Sequence, residues 1–559
     1  MNAYETFYTY FLFIMRIILP LIALSVVALW FRALIASKPR TGIYAVLQGR
    51  DGARFFITSP ETSVGRKSVC DIHIDNDEIS KISAVLTKSE HGFIIKNLNS
   101  DDIRIDGAVL EDEGFITAGE TISFGGYDTK LLQPTPSDVA EVQVSRRRSE
   151  KRKPVKSPNP FLTTLLLSLF TMFTGLELCL KYAADLDIMV PIAFGILIIA
   201  EWVCHFITRA RGGYMWIELP AFFLTTLGFA VCTTAAVGTL KKEVAAWGAG
   251  LIFFIILSLI LSKLELTMKL RYVVGIAALA LMGINLILGY SAFGARNAID
   301  IFGLFTIQPS EFVKVAFVFA GAATLQHLLT KRNFLLFMLM TGGIMGALVL
   351  INDFGSLAIF FVTMLVIIFM RTGNVLLVGG ILGAAGVGGF GATLIVPHIT
   401  QRFAVWGHVW QDAADRGFQQ TRTMIALGSG GLLGVGGGNG YLQNVFAADT
   451  DLVFGLIFEE WGGIIALCAV AIIVGLGIYA FWLCKGVKSA YYSVAVCAVA
   501  AMFLFQTGLH IFGSTDILPL TGVTMPFVSN GGTSIVASWG LLAFFKAAAH
   551  DNTLERSRS

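Results

Sequence analysis

Between residues 402 and 461 the chain gathers Arg402, Trp406, Trp410, Asp412, Asp415, Arg416 and Gln419, then Asp449-Thr450-Asp451 and Phe458-Glu459-Glu460-Trp461. A carboxylate can take a proton from a hydroxyl, guanidinium groups can hold the charge of a diphosphate, and indole faces can stack on a sugar ring. Together they suit a sugar carried on a lipid diphosphate. The same composition also describes an ordinary solvated loop. The run GSGGLLGVGGGNG at 428–440 reads as a flexible or tightly packed connector.

More polar residues stand in apolar surroundings, where an ionisable side chain costs about 3 kcal/mol and marks function by default. Gln308-Pro309-Ser310-Glu311-Phe312-Val313-Lys314 opens a span, with Glu311 and Lys314 three residues apart on one face. Asn352-Asp353-Phe354-Gly355-Ser356 falls at a junction of two spans, where Asp353 could hold a cation or pair with a lysine. LPLTGVTMPFVSNGGTS (518–534) sets Pro519, Pro526, Ser529 and Gly531-Gly532 before the last span, a broken backbone tolerated only inside protein or beside a cavity.

The elements that position these residues must be membrane helices. Of 559 residues 55% are hydrophobic and 14% charged, against roughly 25% charged in ordinary globular chains. The fold class expected is a multi-span α-helical membrane protein of about thirteen helices with an inserted small all-β sandwich. The expected division is a transmembrane helix at 1–37, a β-sandwich at 38–135, a basic linker at 136–158, a polytopic domain at 159–550 holding an outer loop at 397–450, and a tail at 551–559. Lys38 and Arg40 against the lone Glu5 place the β-domain in the cytoplasm. Arg209, Lys263, Lys269, Arg271, Lys331, Arg371 and Lys485 then fall on inner loops, with Lys241-Lys242 the exception. The net charge of +3 and a basic run (Arg146 to Lys156) abutting a span argue for anionic lipid, not nucleic acid, as that run's partner. The seven cysteines are scattered singly and read as packing residues.

Residues 43–133 alternate apolar and polar with Gly, Asp and Asn at short intervals, the pattern of a sandwich. Gly65-Arg66, DIHI, Ser80 in ISKIS, NLNSDD, IDG and GETISFG occur in an order that resembles a forkhead-associated (FHA) domain. The resemblance implies that Arg66 and Ser80 contact a phosphothreonine protein. Two positions depart from that family: Ser83 stands where it has a His, and Asp102 where it has a peptide-holding Asn.

Further on, QPSEFVK, NDFGS, DxxxxGFQ, GSGGLLGVG, DTDLVFGLIFEEWG and LPLTGVTMPFVSNGGTS resemble in order the signatures of the SEDS family (FtsW, RodA, SpoVE). The resemblance implies a peptidoglycan glycosyltransferase of the bacterial plasma membrane. It would polymerise undecaprenyl-diphosphate-linked disaccharide peptide (lipid II) beside a class B penicillin-binding protein, in elongation, division or sporulation. It makes Asp412 the catalytic residue, and it places Glu311, Lys314, Asp353, Arg402, Arg416, Gln419, Asp451, Glu459 and Ser529 at the substrate. No cofactor is certain, and a divalent cation sharing the leaving-group role stays open because no ligand set is diagnostic. Gly294-Ala295-Arg296-Asn297-Ala298 shifts the family's Arg and lacks its Trp, Thr306 replaces a basic residue, and Asp449 replaces a His. A lipid-linked precursor transporter and a catalytically weak scaffold are the alternatives.

Overall fold

Ala3–Ala36 form α1, an apolar helix long enough to cross a bilayer. The computed structural model describes residues 3–36, 43–58, 61–67, 70–88, 92–98, 102–141, 157–292, 295–301, 305–324, 331–395, 400, 405–484, 487 and 489–553. Arg402, most of the basic linker and the end of the tail therefore lie outside the described residues. Two compact units divide the chain: 1–37, 156–481 and 491–550 form one, and 38–155 with 482–490 and 551–559 form the other.

In the second unit eleven strands follow the period-two pattern: β1 Ala45–Gly49, β2 Arg54–Ile57, β3 Glu61–Gly65, β4 Ile72–His73, β5 Ala84–Lys88, β6 Phe93–Asn97, β7 Ile103–Ile105, β8 Ala108–Val109, β9 Glu113–Ile116, β10 Thr121–Phe124 and β11 Tyr127–Leu132. They make two sheets, ordered β2-β1-β11-β10-β7-β8 and β4-β3-β5-β6-β9. Phe93 and Ile95 turn inward while Ile94 is exposed, and Leu86 faces Ile95 across the β5–β6 register. Leu47, Ile57, Val64, Leu86, Ile95, Ile122 and Phe124 close the shared core. This is the small sandwich the alternation predicts.

The first unit is helical: α2 Pro160–Lys181, α3 Met189–Ala210, α4 Glu218–Ala236, α5 Leu240–Leu261 and α6 Leu264–Leu288. There follow α7 Pro309–Thr324, α8 Lys331–Leu350, α9 Phe354–Thr372, α10 Val375–Ile395, α11 Phe418–Gly430, α12 Val453–Cys484, α13 Ala490–Ser514 and α14 Gly532–Thr553. Asn159 caps α2 through its carboxamide, and Pro160 opens it where no donor is missed. α3 shows how a lipid-facing helix is patterned. Ile192, Ile196, Ile199, Val203 and Phe206 point outward, while Ala193, Leu197, Glu201, His205 and Thr208 are buried. The buried row bonds to α2, with Ser168 and Thr171 each donating to Glu201 at 2.7 Å.

Among the described residues ten helices are long and apolar enough to cross a membrane, and the chain is a multi-pass membrane protein. The about thirteen spans expected from sequence differ from that number at three places. Residues 218–261 run on as one segment broken only by a 3-10 turn at Val237–Thr239, α7 has 16 residues, and the apolar stretch of α10 is short. Two features escaped the sequence reading: a three-stranded sheet of β12 Tyr290–Ala292, β13 Ala295–Ile301 and β14 Phe305–Ile307, and helix α11 within the segment expected to be loop.

α12 is not continuous. Gly462 leaves helical geometry at φ 89° and ψ 162°, which frees backbone groups that lipid cannot satisfy. The glycine-rich segment supplies them: Val435 and Gly436 N–H donate to Glu459 and Glu460 O at 2.9 and 2.8 Å, and Gly463 N–H donates to Gly431 O at 2.9 Å. Gly434 lies where the two segments touch, at φ 76°, and a Cβ there would meet Glu460 O at 2.2 Å. Gly434→Ala should therefore lower stability by about 1–3 kcal/mol. Gly428→Ala, in a helix with open space around it, should be neutral or slightly stabilising. Thermal unfolding of the two detergent-purified variants checks the contrast.

Candidate functional site

Pro309 starts α7 and puts Glu311 and Lys314 one turn apart, facing inward at 4% and 2% exposure. Lys314 Nζ donates to Glu311 Oε1 at 2.7 Å and to Gln506 Oε1 of α13 at 3.2 Å. Gln506 Nε2 in turn donates to Thr524 O at 2.8 Å, and Thr524 Oγ1 lies 3.0 Å from Ser534 Oγ. Gln308 N–H donates to Thr533 Oγ1 at 3.2 Å. The pair thus fastens α7 to α13, to the 515–531 segment and to the start of α14. Sequence reasoning missed Gln506, Thr524 and His510. The signal was there in part, since Gln506 and His510 stand at i,i+4 in an otherwise apolar span. His510 is 2% exposed, its Nδ1 lies 2.8 Å from Val523 O and its Nε2 accepts from Phe454 N–H at 3.4 Å.

Asp353 caps α9. Its carboxylate accepts from Ser356 N–H and Ser356 Oγ–H, each at 2.9 Å, and from Asn297 Nδ2 at 3.4 Å. Asn297, where the related pattern has Arg, is therefore a ligand of the cap. Arg296 is exposed beside it.

The segment from 405 to 417 is a chain of turns. Trp406 Nε1 donates to Ile517 O and Gly407 N–H to Asp516 Oδ1, both at 3.1 Å, which ties it to the 515–531 segment. Asp412 takes part through its backbone, its carbonyl accepting from Asp415 N–H at 3.1 Å and Gly417 N–H at 3.0 Å. Gly417 admits no side chain, because a Cβ would meet Val409 O at 2.2 Å. The Asp412 carboxylate is half-buried, and among the described residues nothing donates to it. Asp415 and Arg416 are exposed, as is Trp410. Gln419 Nε2 donates to Phe446 O at 2.9 Å, joining α11 to the segment before α12.

Other carboxylates are occupied within the protein. Glu459, 5% exposed, accepts from Ser429 Oγ–H at 3.2 Å and Leu442 N–H at 2.8 Å. Asp449 accepts from Asn530 Nδ2 at 2.7 Å. Ser529 is 3% exposed; its hydroxyl donates to Thr450 O at 2.6 Å and accepts from Met525 N–H at 2.8 Å. Asp451 sits against Gly522, where a Cβ would be 3.1 Å from its Oδ2. The structure thus ties Glu311, Lys314, Gln419, Glu459 and Ser529 to the irregular segments around them, with Asp451 beside Gly522, and it ties the Asp412 turn to the 515–531 segment. Among the described residues no three His, Cys, Asp or Glu side chains are placed to hold a metal ion.

In the sandwich, Gly65 lets β3 approach so closely that a Cβ would meet Lys81 O at 2.6 Å. Arg66 N–H then donates to Ser80 O at 3.0 Å, so the two candidate phosphate contacts are neighbours. The Arg66 guanidinium pairs with Asp77, whose side chain is 99% exposed. Ser83 is fully buried. Asp102 pairs with Arg104 at 2.9 Å, and that bond holds its carboxyl below the usual carboxylate range.

A buried ion pair inside a membrane unit makes a sharp stability test. Lys314→Met leaves the Glu311 charge unpaired and should cost about 3–5 kcal/mol. Adding Glu311→Gln should recover most of that loss. A double variant no more stable than Lys314→Met in thermal unfolding would assign the loss to something other than the stranded charge.

Comparison with known proteins is consistent with this architecture. The model of the FtsW/RodA/SpoVE family, described as cell cycle proteins, matches residues 215–554, and the FHA domain model matches 62–125. The peptidoglycan glycosyltransferase RodA of Mycobacterium tuberculosis is 27% identical over 306 residues, 50% of this chain and 63% of that protein. Stage V sporulation protein E of Bacillus subtilis is 29% identical over 255 residues, 43% of this chain and 68% of that protein. The chain thus spans 63% of the length of the RodA relatives it matches. A chain from a peptidoglycan synthase complex that coordinates polymerization and crosslinking superposes with a TM-score of 0.51 at 23% identity, over 60% of this chain and 97% of that one. With more than half of its length matched, from α4 to α14, the chain belongs to the FtsW/RodA/SpoVE family.

Proposed function

We propose that the chain is a peptidoglycan glycosyltransferase that polymerises lipid II, with Asp412 as its general base. The carrying observation is the contrast among the carboxylates. Glu311, Asp353, Asp449 and Glu459 are each held by protein donors, while among the described residues nothing donates to the Asp412 side chain, which stands on a turn that its own backbone organises. A base must keep a lone pair for its substrate. Asp412 takes the proton from the acceptor sugar's 4-hydroxyl, the freed oxygen attacks the anomeric carbon of the donor, and undecaprenyl diphosphate leaves with the bond electrons. Arg416 and Arg402 supply charge to the diphosphate, and Trp406 and Trp410 supply a sugar platform.

The 397–450 segment works outside the cell and the sandwich inside, following the distribution of basic loops. A class B penicillin-binding protein crosslinks the product. Asp412→Asn should reduce polymerisation of purified lipid II by at least about 100-fold without changing thermal stability. Normal product from a folded Asp412→Asn protein would sink the assignment.

The sandwich binds a phosphothreonine protein through Arg66 and Ser80. The Asp77 partner of Arg66 is solvated and gives way easily to a dianion that accepts the guanidinium fork. Arg104 offsets the charge of Asp102 beside this face. Calorimetry with paired threonine and phosphothreonine peptides should show binding of the phosphorylated form alone, weakened at least about tenfold by Arg66→Ala. Equal affinity for both peptides would leave a phosphate-independent docking module.

A further inference from the structure

Helices α1 and α2 precede the part of the chain that matches the family, yet both reach into the glycine-rich segment of the matched part. Glu177, near the end of α2 and 1% exposed, accepts from Gly437 N–H at 2.6 Å. One turn on, Lys181 donates to Asn439 Oδ1, and Tyr182 OH donates to Gln443 Oε1 at 3.4 Å. From α1, Tyr8 OH accepts from Asn439 Nδ2 at 3.5 Å, and Arg16 stands within electrostatic reach of the Glu177 carboxylate.

The glycines fit these helices one by one. A Cβ on Gly436 would meet Leu12 at 2.4 Å, one on Gly437 would meet Leu178 at 3.1 Å, and one on Gly438 would meet Tyr182 OH at 2.7 Å. The segment so pressed continues through Gln443, which donates to Gly440 O at 2.8 Å. It then reaches Phe446, whose carbonyl takes the Gln419 bond, and Asp449, which is tied to Asn530.

We propose that Glu177 is a positioning residue for the transferase. From a helix outside the family match it fixes the Gly437 amide, and so the path of residues 436–449 that holds Gln419 and the turn carrying Asp412. Glu177 is buried at 1% exposure, and its bond to the Gly437 amide joins α2 to the glycine-rich segment where the packing of Gly436, Gly437 and Gly438 leaves no room for side chains. Arg16 supplies the counter-charge. The proposal rests on the glycosyltransferase reading for its kinetics but not for its structural readout.

The test uses the full chain in liposomes with lipid II as substrate, comparing Glu177→Ala, Glu177→Asp and Glu177→Gln, with amide hydrogen exchange on the same samples. Glu177→Ala should speed exchange of the 436–446 amides at least about tenfold and lower kcat at least tenfold with KM within twofold. Glu177→Asp, a methylene too short, should behave likewise and serves if the alanine variant does not fold. Glu177→Gln should keep slow exchange and at least half of the activity. Unchanged exchange in Glu177→Ala overturns the proposal whatever the activity. Faster exchange with normal kcat also overturns it, as does faster exchange throughout the membrane unit with a parallel fall in Tm. A wild-type chain that makes no glycan would refute the glycosyltransferase reading, and exchange alone would then decide what Glu177 holds.

Discussion

A backbone that leaves helical geometry inside a bilayer must find its hydrogen bonds in the protein, because lipid offers none. That constraint shapes the membrane unit. α12 breaks at Gly462, and the glycine-rich segment lies along the break and pairs with it, N–H to carbonyl, from Gly431 to Gly436. The 515–531 segment meets the same demand with side chains. Gln506 satisfies Thr524 O, His510 reaches Val523 O, and Ser529 serves both Met525 N–H and Thr450 O. The irregular chain thereby has hydrogen-bond partners within the protein, as the helices around it do.

The buried charges follow from this. Lys314 and Glu311 are neutral as a pair, and the third partner, Gln506, is the residue that also holds the broken segment. Breaking the pair would therefore loosen backbone far from it. Asp353 is used in the same way, capping α9 and anchoring the β12–β14 sheet through Asn297. Polar residues in the family motifs thus divide by task. Most keep irregular backbone satisfied, and the Asp412 carboxylate receives no hydrogen bond among the described residues.

Local signals in the sequence carried much of this. The spans were legible from apolar length, the strands from alternation such as Phe93-Ile94-Ile95, and the α7 ion pair from three-residue spacing at a proline. The cap at Asp353 is legible in kind, since Asp followed three residues later by Ser before an apolar run is a helix-start pattern, although the sequence reading assigns it instead to a cation, a lysine partner or the substrate. The link from Lys314 to Gln506 spans 192 residues, and no local period encodes a contact of that length. α11 was hidden because its glycines and hydroxyl residues carry no apolar stripe, and its buried face is Gln420, Thr421 and Thr423.

The helices before residue 215 bear on how far a family match explains a chain. Leu12, Leu178 and Tyr182 occupy the space that side chains at 436, 437 and 438 would otherwise fill, so the glycines there are complementary to elements the match does not contain.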